Sequence, residues 1–345
     1  MGDVPTPHGP TPATKATAAK AAGKPAGGSG APGLKASGPK AVDKETTAGI
    51  LFGFGAYGLW GLLPLYFIAL LPAGPVEIVA NRVVWSVLFC AILITVTRSW
   101  RTLANAFRDR SVFGALAIAG ALIAVNWLTY TYGVTTGQAV EASLGYFINP
   151  LVSVLLGVIV LKEKLRALQW AAVGIGFVAV AVLTVSYGKL PWIALTLAFS
   201  FGLYGFVKNR VGRKVDAVTS LSVETMVLAP VAGATMVFLG LSGSATLAAQ
   251  GPGHFWLLAA SGVLTAVPLL FFGASARRLP LTTIGLLQYV APMLQFVVAL
   301  LVFKEAMTPD RWIGFGVVWL ALLVLTVDML RMAGKNSAAK RLARQ

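Results

Sequence analysis

A few polar residues stand where the chain is otherwise built from alanine, leucine, valine and phenylalanine. Arg82 lies in EIVANRVVWS, Glu141, Tyr146 and Asn149 in EASLGYFINPL, and Glu224 in SVETM; Asn126 interrupts ALIAVNWLTY, and Gln288 and Tyr289 close TTIGLLQYV. A charge in an apolar interior is costly unless it is paired. Arg82 therefore predicts a partner, and Glu77 on its own segment or Glu141 is the carboxylate at a compatible depth. Two roles stay open for that arginine, a structural or snorkelling charge and a grip on an anionic or polar substrate. Glu224, like Glu141, can exchange a proton, bind substrate or bond a neighbouring helix.

Spacing groups some of these residues. In EASLGYFINP a step of four puts Glu141, Gly145 and Asn149 on one helical face with Tyr146 beside it. Pro150 removes a backbone donor and predicts a local helix break, and Pro292 does the same after Gln288 and Tyr289. These two segments predict the walls of a central cavity, to which Asn126, Trp60, Trp85 and Tyr204 are added.

The elements that carry them are set by composition. Of 345 residues 57% are hydrophobic and 12% charged, against about a quarter charged in soluble domains. Apolar stretches of about 20 residues, enough to cross a hydrocarbon core of roughly 30 Å, recur along the chain. Helices are expected because open strands cannot satisfy their backbone in lipid. Turn residues delimit ten of them, at 48–71, 76–97, 112–133, 139–161, 167–186, 190–207, 217–240, 254–275, 282–303 and 308–330. The fold class is an all-α integral membrane protein. Residues 1–46, rich in Ala, Pro, Gly, Thr and Lys, read as a disordered tail, and 332–345 as a basic one.

Twenty-four of the 28 basic residues fall on the termini and alternate connections, which predicts cytoplasmic termini. That placement turns the formal charge of +16 away from nucleic acid. Two histidines, His8 and His254, and the single Cys90 offer no metal cluster or disulfide, and no cofactor motif is present. The expected partners are a small-molecule substrate and membrane lipid; a homodimer is compatible with the sequence, which leaves oligomeric state open.

The chain also repeats itself. Shifted by 142 residues, 150–183 aligns with 292–325 without a gap, and nine of 34 positions are identical, including Pro150/Pro292, Lys162/Lys304, Glu163/Glu305 and Trp170/Trp312. The same shift maps Arg82 onto Glu224. With five helices in each unit, 47–187 and 188–331, the second would be inverted relative to the first, an architecture of transporters.

The stretches AYGLWGLLPLYF, EIVANRVVWS, EASLGYFINPL, LAFSFGLYGFV, SVETM and TTIGLLQYVAP resemble RarD-type transporters, of the EamA branch of the drug/metabolite transporter superfamily. The resemblance covers about 48–331 and implies a ten-helix inner-membrane permease. The expected function is a secondary transporter of a small metabolite or drug-like molecule, working by alternating access, with proton coupling through Glu224 or Glu141 among the open roles. A membrane-embedded lipid-modifying enzyme and a non-transporting scaffold are the alternatives from other classes; the first lacks the clustered acids or histidines it needs.

Overall fold

The computed structural model describes residues 39–342, except 163, 212, 213, 248, 277 and 280. Every regular element among them is helical: α1 (Pro39–Ala69), α2 (Pro75–Val96), α3 (Trp100–Arg108), α4 (Arg110–Thr135), α5 (Ala139–Leu161), α6 (Ala167–Tyr187), α7 (Trp192–Val211), α8 (Ala217–Leu241), α9 (Pro252–Ala276), α10 (Leu281–Leu287), α11 (Val290–Leu301) and α12 (Pro309–Leu342). Among the described residues nine helical segments are long and apolar enough to cross a membrane, and Trp192–Lys208 is a shorter apolar helix. Large apolar side chains such as Leu241, Val185 and Trp256 cover the outside, as a hydrocarbon solvent requires.

Local chemistry fixes several helix starts. Pro75 opens α2, where a missing N–H costs nothing. Asp109 accepts from the amides of Ser111 and Val112, and Asp216 from those of Val218 and Thr219, so a carboxylate caps both α4 and α8. At the ends of α5 and α11 the repeat-equivalent Lys162 and Lys304 both take a left-handed backbone, φ 55° and 53°.

Packing follows the repeat. α5 lies along α7 as α11 lies along α1, α4 along α7 as α9 along α1, and α2 along α9 as α8 along α4. α2 with α8, α5 with α11 and α6 with α12 pair directly with their own repeat-equivalents. Two glycines 142 residues apart seat these seams. A Cβ on Gly120 of α4 would lie 3.2 Å from the Glu224 carbonyl oxygen of α8, and one on Gly262 of α9 would lie 2.5 Å from the Trp85 carbonyl of α2. Cys90 is fully buried with Leu221 and Ala266, where α2 meets α8 and α9.

Four features depart from the sequence reading. α1 begins at Pro39, so the last residues of the expected tail are helical, while 1–38 lie outside the described residues. α12 continues to Leu342 through the segment expected as a basic tail. The connection 98–111 contains α3, whose Leu103 and Ala106 are buried three residues apart. The fourth correction is Pro150, which sits inside an uninterrupted α5, whereas α10 stops at Leu287 and α11 resumes at Val290, just ahead of Pro292. One missing N–H is tolerated in α5 because the rest of its ladder and its contacts with α7 and α11 hold it.

Candidate functional site

Arg82 is the centre of the polar interior. It is 5% exposed, about seven residues into α2. The expected carboxylate is not beside it: the ion pairs among the described residues are Arg166–Asp328, Lys208–Glu224 and Lys214–Asp109. Instead Nε donates to Thr265 Oγ1 of α9 at 2.7 Å, and the guanidinium carbon lies 4.2 Å from the ring centre of Trp127 and 5.9 Å from that of Phe67. Stacking on a desolvated indole returns about 2 kcal/mol, set against a cost of about 3 kcal/mol or more for an arginine at this depth. Around it stand three phenols, Tyr146, Tyr66 and Tyr130, close enough to feel its charge.

The phenols tie this centre to the rest of the bundle. Tyr146 of α5 donates to Asn126 Oδ1 at 2.8 Å, and Asn126 Nδ2 donates to the Leu197 carbonyl and to Ser200 Oγ of α7. Tyr146 packs edge-on to Tyr130 and Phe201, with ring centres 5.4 and 5.7 Å apart. Tyr66 donates to the Leu257 carbonyl of α9. Tyr130 is 3% exposed and its hydroxyl has no hydrogen-bond partner among the described residues. Of the residues singled out in the sequence, the structure thus gathers Arg82, Asn126 and Tyr146.

The others lie elsewhere. The Glu141, Gly145 and Asn149 face is the seam with α7 rather than a wall of the Arg82 centre: Glu141 accepts from the Ile193 amide at 3.0 Å, a Cβ on Gly145 would lie 2.7 Å from the Ala194 carbonyl oxygen, and Asn149 Oδ1 faces Gly202. A step of four marks a buried helical face, and a glycine in it marks close approach of another backbone. Gln288 and Tyr289 form the turn between α10 and α11, with Tyr289 beside Thr326 of α12. Trp60 packs against Tyr57 and Phe272, and Trp85, about one turn along α2 from Arg82, against Phe255.

Glu224, at the position equivalent to Arg82, is fully compensated. Lys208 Nζ donates to it at 2.6 Å, Ser220 Oγ at 3.0 Å and Tyr204 hydroxyl at 3.2 Å. Lys208 looked like a connecting-loop charge in the sequence; it is on the last turns of α7, sixteen residues before Glu224, and reaches inward.

A second polar region closes the end at which α2, α5, α7 and α9 begin. Glu305, after α11, accepts from the Ala139 and Val140 amides at 2.6 and 2.9 Å and so caps α5. Glu77 accepts from the Thr246 and Leu247 amides ahead of α9, and Glu141 from Ile193 of α7. All three carboxylates join one sequence repeat to the other. Between Glu141 and Glu305 is a cavity of about 160 Å³ that Lys189 and Arg311 also line. Burial pushes the Glu305 carboxyl above the usual range, opposed by the two amides and by Arg311.

The EamA-like transporter family matches the chain twice, over residues 47–185 and 190–327. Protein RarD of Streptomyces exfoliatus is 49% identical over 86% of this chain and 93% of its own length. Protein RarD of Escherichia coli K12 is 38% identical over 85% and 99%, and the uncharacterized transporter YojE of Bacillus subtilis is 39% identical over 83% and 96%. A crystal structure of a protein 18% identical superposes with a TM-score of 0.55 over 83% of this chain and 99% of that one, a likeness of fold.

Proposed function

The chain belongs to the EamA-like transporter family of the drug/metabolite transporter superfamily, and on that premise we propose that it carries a small metabolite or drug-like molecule across the cytoplasmic membrane by alternating access. The observation that carries this reading is the Arg82 centre, a polar and aromatic cluster assembled from α1, α2, α4 and α5 of one repeat and α7 and α9 of the other. Any relative motion of the two repeats alters it.

In this reading ten membrane-spanning helices, with α3 as a surface piece and α10 and α11 as one broken span, form two inverted five-helix units. The exchange of packing partners between repeats supports it, since units related by an axis in the membrane plane can trade conformations. The distribution of basic residues supports a topology with both termini in the cytoplasm. The outer end is then the one held by Glu77, Glu141 and Glu305, each gripping backbone amides across the repeat boundary. Such contacts release to water without leaving a charge in lipid, which suits a gate. The Lys208–Glu224 ion pair favours a structural role for Glu224, fastening α7 to α8.

The family and the names of the relatives point to a transporter rather than an enzyme. Vesicles containing the purified chain test the reading by solute counterflow. Accumulation of a labelled small solute against its unlabelled form, absent from empty vesicles, is expected; a well-folded chain that exchanges nothing across a broad solute set removes it.

A further inference from the structure

We infer that the cargo is a small organic anion whose carboxylate docks between the free fork of Arg82 and the hydroxyl of Tyr130, with its body against Phe67, Trp127 and Tyr146. The inference rests on the transport reading and adds the chemical class of what is moved.

Three observations converge on it. Arg82 is buried and no carboxylate among the described residues compensates it. Its Nε is held by Thr265, which fixes the direction of the guanidinium, while neither terminal nitrogen bonds a described residue. Those two nitrogens are the pair that meets a carboxylate in a fork. Independently, the Tyr130 hydroxyl is buried without a partner among the described residues, an arrangement that costs stability and that a fold does not need, since phenylalanine would fill the same space. A donor that no described residue partners, in the surroundings of a cation that no described carboxylate compensates, describes a place suited to an acceptor carrying negative charge. The rings around it, with Phe67 and Tyr130 centred 5.9 Å apart, offer apolar and aromatic walls and no second charge. In the present closed packing these rings touch one another, so the ligand enters only as the repeats part.

The structure also separates this site from the outer cavity, where Glu141 and Glu305 accompany Lys189 and Arg311. Two carboxylates there leave little net attraction for an anion. At Arg82 the charge is single and undiluted.

The test is thermal unfolding of the detergent-purified full chain with a panel of small monocarboxylates, each paired with its own primary amide. At least one carboxylate is expected to raise the melting temperature in a concentration-dependent way while its amide does not. Arg82→Gln should abolish that shift. Tyr130→Phe, in the absence of ligand, should melt at or above the parent, yet weaken the carboxylate about tenfold; this variant keeps the inference testable if Arg82→Gln does not fold. No shift across the panel, equal shifts by the amides, or unaltered binding by either folded variant overturns the inference. Counterflow separates the two levels of argument: exchange of neutral solutes that survives Arg82→Gln sinks the anion and leaves a transporter, while carboxylate binding without any exchange keeps the site and sinks transport.

Discussion

Arg82 and Glu224 occupy the same position of the repeat and have opposite surroundings. Glu224 is met by Lys208, Ser220 and Tyr204, and its neighbourhood is neutral as built. Arg82 is met by one threonine and a set of rings, and keeps its charge. Both are nearly inaccessible, at 1% and 5%. The two repeats thus share a backbone position that carries a buried ionisable residue, of opposite sign in each, and compensate it separately. A paired charge fastens helices; an unpaired one keeps the capacity to attract.

The largest expected effect comes from breaking the compensated side. Lys208→Met strands a buried carboxylate, and a loss of roughly 3–5 kcal/mol of stability is expected, mostly recovered when Glu224→Gln is added. Reversible unfolding of the single and double variants checks this, and additive losses would mean that the pair is not a unit. The matched variant on the other side, Arg82→Met, should change stability by about 1 kcal/mol at most or raise it. It leaves Thr265 bonded to its own helix through the Ser261 carbonyl, so nothing is orphaned.

Between those extremes lie the two glycine seams. Gly262→Ala puts a methyl into the Trp85 backbone and is expected to cost about 1–3 kcal/mol. Gly120→Ala meets the Glu224 carbonyl oxygen at 3.2 Å and should cost distinctly less. A reversed order in the melting temperatures would show that the α2–α9 seam, which sets Thr265 against Arg82, is the looser of the two.

The smallest effect concerns pH. The folded Glu305 carboxyl holds its proton more tightly than an ordinary one, so it contributes stability that is present below the unfolded value and lost as pH rises through the raised folded value. Glu305→Gln should flatten that part of the stability profile just above the ordinary carboxylate range. A profile identical to the parent's would assign the slope to other groups.

The positions of most apolar spans and the repeat were legible because apolar length, turn residues and rare identities such as Lys162/Lys304 are local signals, whereas the early start of α1, the short α3 and the split of α10 from α11 were not. The family was legible from contiguous motifs. What the sequence could not carry was partnership across helices. Arg82 looked as if it must have a carboxylate, since pairing is the cheaper state, yet depth alone says nothing about rotation about the helix axis; Glu77 and Glu141 turn to helix amides instead. Polarity and a step of four are shared by cavity walls and helix seams, so the sequence does not separate the two for Glu141, Gly145 and Asn149. Tyr130, Trp127 and Thr265 resembled ordinary span residues, and only their convergence on Arg82 distinguishes them. Lys208 sixteen residues before Glu224 was the missed signal, a lysine whose stem is long enough to turn back into the bundle.

The burial of Cys90 gives the protein a native clock. It is the chain's only cysteine and is wholly inaccessible, wedged between α2 of one repeat and α8 and α9 of the other. A maleimide or iodoacetamide can reach that sulfur only while the interface is parted, so the alkylation rate of the unmodified protein counts opening events. Slowing by a bound solute, or acceleration by a substitution elsewhere, can be read on the wild-type chain by mass spectrometry, with no engineered label to perturb it.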